Sequence, residues 1–486
     1  IIKGVGSPAN GDASSALIIS QGGRIIANGT QELPIIFTAE SDDVDDPEDL
    51  DKSRKGLWGG LILLGNAPVG VDGDLSNVEG IPSTEGRAQY GGNDPEDNSG
   101  SLRYISIRHG GDKLEANNEI NGLTLAGVGS GTTIDYVEVF ANLDDGIEWF
   151  GGTVSVKHAA VAFCGDDSFD YDQSWDGNGQ FWFSIQDELS NRAGEWDGSE
   201  KGDLTPKVTP VISNATLIGA GPSSVNEDNN DALRIRDDAA VNLHNSILTG
   251  FARRAIVLDN DSEQDTYQRF LDGDVVFNRN IFFDFGAGDA FADIITTDGG
   301  DDNLLITQLT DNLNTIEDPS LGGISRIANG GLDPRPNAGS PAFDNPFTID
   351  DPFFTATDYR GAFNNSDNWL EGWTALDDQG FFSDLVVISN TEEYSRNDNG
   401  LAVKTFPNPA TFGTSTIEVE LPGASTVMIQ LYDLSGRLMT TLNAGNQAAG
   451  TAQFALQTSQ LTNGIYLLNI VTDFGSIRQK VQVMNR

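Results

Sequence analysis

A right-handed parallel β-helix followed by a small C-terminal β-sandwich, all-β throughout, is the fold this sequence predicts, and three observations predict it. Short alternating or apolar runs recur through the first 400 residues, with no convincing amphipathic helix. One stretch of the chain repeats itself at an offset of 22 residues. Composition then changes near residue 400.

The runs are Ala16–Ile19, Pro34–Phe37, Leu102–Ile107, Ile134–Val139, Val241–His244 and Asp274–Phe277, punctuated by Gly, Asn and Asp. The 56 glycines suit a turn-rich β architecture. Asp144, Asp145 and Glu148 return as Asp166, Asp167 and Asp170, each 22 residues on, and at the same offset Ile134 meets Val156, Val139 meets Val161 and Trp149 meets Tyr171. Gly122–Gly127 is similar to Gly146–Gly151, and Asn214–Gly219 to Asn245–Gly250, with Asn280 opening a third copy. A period near 22 fits one coil of a solenoid, and variable spacing fits loops inserted at coil corners. Stacked Asn side chains at a corner would form a ladder; ordinary turn asparagines are the alternative.

The body is expected over residues 1–386, with Asp358–Trp373 as a capping segment. The polar stretch within 387–403 reads as a linker, and 404–486 as the sandwich. From residue 404 onward five basic residues (Lys404, Arg437, Arg478, Lys480, Arg486) face four acidic ones (Glu418, Glu420, Asp433, Asp473), a net of +1. The chain as a whole carries 73 acidic against 28 basic residues, a formal charge of -45, so the acidity belongs to the body. Such a body repels nucleic acid and anionic membrane. Cys164 is the single cysteine, so no intrachain disulfide is available, and it reads as a small buried hydrophobe. His109, His158 and His244 are scattered, unlike a zinc site. No apolar run is long enough for a transmembrane segment. The start at Ile1 suggests a mature or truncated chain whose targeting segment is missing.

Two resemblances follow from motifs. Phe406–Ala410, Val427–Arg437, Leu461–Leu468 and Ile477–Val483 resemble, in order and spacing, the type A C-terminal sorting domain of the type IX secretion system of Bacteroidetes. The resemblance implies a small β-sandwich that engages the type IX secretion machinery, with export through the periplasm to the outer-membrane surface or the medium. Gly56–Asn66, Tyr90–Gly100, Asn121–Leu125, Asp358–Phe363 and Asn368–Trp373 resemble a family of secreted Bacteroidetes proteins taken to be right-handed parallel β-helices. That resemblance implies fold and location and carries no activity.

For chemistry, the acidic stack stands out. Stacked coils would place Asp144, Asp145, Asp166, Asp167 and Asp170, with Glu148 and Asp172, about 4.8 Å apart. Like charges that close repel unless a proton or a cation lies between them. Ca²⁺, which takes several carboxylate and carbonyl oxygens, is the cofactor expected at Asp144, Asp145, Asp166, Asp167 and Asp170; a row of solvated acids is the alternative. The acidic loops Asp42–Asp51, Asn93–Asn98 and Asn226–Asp231 lack EF-hand order.

No catalytic residue is assigned, since no P-loop, G-x-S-x-G, H-E-x-x-H or C-x-x-C occurs. Arg234, Arg236, Arg253 and Arg254 would sit three to four coils from the acids, roughly 15–20 Å away at strand spacing. Trp175, Phe181, Trp182, Phe183 and Trp196 are either an exposed platform for sugar rings or an internal stack. The expected role is therefore adhesion, glycan binding or surface structure, with a polysaccharide or cell-surface ligand. A calcium-dependent polysaccharide lyase or glycoside hydrolase, and a self-assembling extracellular fibre subunit, are the alternatives.

Overall fold

The computed structural model describes residues 1–6, 14–115, 118–199, 207–225, 231–260, 265–382, 393–397, 399–406, 410, 414–433, 437–459, 461 and 464–483. Residues 226–230 of the acidic stretch 226–231, much of the segment read as a linker, and residues 407–409, 434–436 and 462–463 of the sorting-domain motifs lie outside them. The chain divides into two compact units, Ile1–Ser383 and Asp384–Arg486.

The first unit is a parallel β-helix. Among the described residues, one sheet stacks nine parallel strands in chain order, including Leu61–Leu64, Leu123–Ala126, Ile147–Phe150, Phe169–Asp172, Gly194–Asp197, Leu233–Arg236 and Ile256–Leu258. Alternation along each strand sends one set of side chains inward. Leu63, Leu125, Trp149, Tyr171, Trp196, Ile235 and Leu258 form one inward column by register. The 22-residue offset is the observed pairing of Ile147–Phe150 with Phe169–Asp172 and of Ile134 with Val156.

The indoles of Trp149, Trp175, Trp182 and Trp196 are at most 2% exposed. Trp149 stacks on Trp182 at 5.1 Å, and Tyr171 on Trp196 at 5.5 Å. They are core, so the platform alternative fails for these rings. Gly194 is required beside them: a Cβ there would meet Nε1 of Trp196 at 2.6 Å.

A second, longer parallel sheet contains Gly100–Arg108, Thr133–Phe140, Val156–Ala162 and Asn178–Ile185. Each of these strands bends at one residue with left-handed φ, namely Tyr104, Tyr136, His158 and Phe181. The bends stack, with ring centroids 4.4, 4.1 and 4.9 Å apart. Asn214 and Asn245 continue that column at φ 57° and 50°.

Their amides do not form the expected ladder. Asn214 donates to the carbonyls of Tyr359 and Gly361, and Asn245 to that of Phe347. The ladder runs one residue further on. Ser246 Oγ accepts from Ala215 N, Asn280 Oδ1 from Ser246 N, and Asn314 Oδ1 from Asn280 N. Asn280 therefore stacks on Ser246, since Ile247 pairs with Ile281, and the third copy is offset by one residue. Asn280→Ala would leave Ser246 N without its acceptor in a fully buried site. We expect a loss of about 2–3 kcal/mol, read by urea unfolding.

The segment expected to cap the solenoid covers its flank instead. Leu332, Phe363, Trp369, Leu370, Trp373, Leu376 and Phe381 pack on Phe140, Ala160, Phe163, Phe183 and Ile218, residues of successive coils. Buried Glu138 fixes this cover by accepting from Ser106 Oγ and the backbone N–H of Ala375. The C-terminal end is closed by the helix Asp302–Asp311, whose Leu305 and Leu309 enter the core. Gln308 on that helix pairs with Phe277 N and the Val275 carbonyl. An open strand edge is thereby satisfied, which obstructs end-to-end stacking at this end.

The second unit pairs two antiparallel four-stranded sheets around Val403, Ile417, Val419, Ile429, Leu431, Leu468, Ile470 and Val481. Glu393–Arg396 and Ala402–Phe406, at the junction read as a linker, are strands of one of these sheets.

Candidate metal centre

Outward-facing positions of the nine-stranded sheet form a lattice of charge. At the corner before each strand stand Asp145, Asp167 and Arg192. Gly146 N bonds to the Asp167 carbonyl, and Ser168 N to that of Arg192. Asp145 Oδ1 accepts from Asp167 N at 2.8 Å, and Asp167 Oδ1 from Arg192 N. The corner aspartates thus tie each coil to the next. Along the strands, Thr124, Glu148, Asp170, Glu195 and Arg234 lie in register, and Asp197 pairs with Arg236.

Among the described residues, three groups bring carboxylate oxygens within 4.8 Å of one another: Asp145 with Asp166 and Asp167, Asp145 with Glu148 and Asp170, and Asp167 with Asp170 and Glu195. That span is about twice a Ca–O bond, so one hard cation can touch every member of a group. The third group already has a counter-ion, since Arg192 Nη1 lies 2.9 Å from Glu195 and 3.9 Å from Asp167. In the second group, Asp170 Oδ1 is buried with no hydrogen-bond partner among the described residues.

Burial first, then mutual repulsion, raises the carboxyls of Asp145, Glu148, Asp167 and Asp170 well above the ordinary range. Asp197, held by Arg236, rises only to about 6. An all-oxygen, buried and mutually repelling donor set fits a divalent cation of the calcium type.

Of the five residues read as ligands, Asp145, Asp166, Asp167 and Asp170 fall within these groups. Asp144, also buried, stands outside them among the described residues. Sequence reasoning missed Glu195, Asp197 and Arg192. The signal was present, because Gly194-Glu-Trp-Asp197 repeats the pattern of Phe169-Asp-Tyr-Asp172, at 25 rather than 22 residues.

Arg234 stands three strands from Glu148 and two from Asp170, near the coil count, and directly beside Glu195. Glu195 and Arg234 are register partners on adjacent strands, because their offset of 39 residues is one coil with a long insertion. Arg236 Nε lies 2.7 Å from Asp197, and its Nη2 3.3 Å from Glu195. Arg234 pairs with Asp259 at 2.9 Å. Cys164 is buried, and burial pushes its thiol up to about 12, so it is inert at neutral pH.

Comparison with known families gives two matches. The family model of the pectate-lyase-like beta helix domain matches residues 1–317. That of the secretion system C-terminal sorting domain matches 404–484. No curated protein matches the chain.

Proposed function

Because the chain belongs to the pectate-lyase-like β-helix family, we propose that its body is a calcium-holding surface module that serves adhesion, glycan binding or surface structure. The sorting domain marks the protein for export to the cell surface or the extracellular space. No helix among the described residues is long and apolar enough to cross a membrane. A chain lacking residues 404–486 is expected to accumulate in the periplasm with its body folded, as cell fractionation would report.

The observation that carries the calcium reading is the group of Asp145, Glu148 and Asp170, with its buried and unpartnered Oδ1. Calorimetric titration of the full chain tests it. Calcium should bind more tightly than magnesium, which demands a smaller octahedral site. Asp145→Asn with Asp170→Asn should abolish binding. Absence of calcium binding to the wild-type chain would sink the reading.

The adjacency of Glu195 and Asp197 to Arg234 and Arg236 favours a second reading, a calcium-dependent polysaccharide lyase using an arginine base. Against it, Arg192, Arg234 and Arg236 are each held in ion pairs with Glu195, Asp259 and Asp197. An arginine so paired keeps its proton, which a base must lack. Cleavage of any polymer in a polysaccharide panel, lost in Arg234→Ala, would decide for the lyase.

A further inference from the structure

Beside the calcium group lies a buried contact that the coil lattice alone does not explain. The hairpin of Ser76–Asn77 with Gln89–Tyr90 rises from the long insertion after Leu64 and is clamped onto the outer face of the solenoid. Val78 and Tyr90 are buried with Ile62, Leu64, Ile120, Ala126 and Phe150. Tyr90 donates to Gln173 Oε1 at 2.9 Å. Gly80 has φ 69°, and a Cβ there would meet Ile120 Cγ1 at 2.2 Å, so only glycine allows this approach.

Between these anchors Glu79 is delivered onto Asn121 and Glu148. Asn121 is fully buried at the corner one coil before Asp145, its neighbour Gly122 bonding to the Asp145 carbonyl. Its Nδ2 donates to Glu79 Oε1 at 3.2 Å and also to Glu148 Oε2. One amide nitrogen thus gathers both carboxyls, those of Glu79 and Glu148. Asn121 Oδ1 has no partner among the described residues.

A buried amide oxygen left unpaired costs about 1–3 kcal/mol, and two carboxylates gathered on one amide nitrogen repel. One event relieves both. A cation between the carboxylates replaces repulsion with coordination, and a carboxamide turned end for end offers Oδ1 as a further hard ligand.

We propose that Glu79 and Asn121 complete the divalent-cation site with Glu148, so that the hairpin is a clasp over the ion and the Asn121 carboxamide reverses when it binds. The proposal rests on the calcium reading above and extends it to an element outside the coil lattice. Ion binding then joins the insertion to the coils beneath it, which gives the hairpin a role of its own.

The test is calcium chloride titrated into the full chain and its variants, with melting in excess chelator measured in parallel. Glu79→Gln keeps the size and a hydrogen-bonding end of the side chain, so a purely structural clasp would survive it. The clasp predicts calcium affinity about tenfold weaker or more, with the chelator melting temperature unchanged or raised. Asn121→Asp should bind calcium at least as tightly as wild type and melt lower in chelator, having added a carboxylate to the cluster. Wild-type calcium affinity in both Glu79→Gln and Asn121→Ala, with binding lost in Asp170→Asn, would overturn the clasp and leave the calcium site standing. No binding by the wild-type chain would overturn both.

Discussion

Trp182→Ala is expected to cost the body about 3–5 kcal/mol. The ring is 1% exposed, stacks on Trp149 and lies 4.7 Å from Phe169, so its removal leaves a cavity between rigid stacked strands that cannot collapse to fill it. Its Nε1 also donates to the Val156 carbonyl at 3.1 Å, which would lose its indole partner. All seven tryptophans precede residue 400, so intrinsic fluorescence during urea unfolding reports on the body alone. A cost within about 0.5 kcal/mol is what a solvent-facing sugar platform would give, and it would contradict the buried stack.

The stability of the metal-free body is expected to fall as pH rises above the ordinary carboxylate range. The carboxyls of Asp145, Glu148, Asp167 and Asp170 take up protons more readily in the folded chain than in the unfolded one. Their contribution is therefore fully present below the ordinary carboxylate range near 4, and is lost as pH climbs from there through the raised values. The formal charge of -45 pushes the same way, by self-repulsion. Calcium separates the two effects, because it binds the deprotonated cluster. At a hundredfold excess over Kd it adds about 2.7 kcal/mol at neutral pH, and less in acid. Melting curves in chelator and in calcium should thus diverge with pH, and Asp145→Asn with Asp170→Asn should bring them together. Parallel curves across the range would leave the acids without a ligand.

The stacked coils were legible because pairing in a parallel solenoid copies residue i onto its equivalent one coil later, so Asp144–Asp170 announced its own register. The same rule misled where insertions lengthen a coil. Counting 22 residues per turn did not set Glu195 beside Arg234, because the long excursion after Asp197 belongs to one coil; Arg234 still lies two strands from Asp170 and three from Glu148. The corner asparagines misled for a different reason. Asn214 and Asn245 adopt a left-handed φ that turns their amides out to the flanking segment, and the inward ladder passes to Ser246, Asn280 and Asn314. The flank cover carried no sequence signal of its position, because Trp369 and Trp373 would serve equally well to close an end. Glu79 had none either, since its contact with Asn121 spans 42 residues and depends on how one hairpin folds back.

Calcium at Asp145, Glu148 and Asp170 is the central claim, and anomalous diffraction from crystals grown with calcium tests it most directly. A peak is expected within 2.3–2.6 Å of oxygens from those three residues, the usual range of Ca–O distances. A body that crystallises in millimolar calcium with no peak there, and with Asp170 Oδ1 still unpartnered, would contradict it.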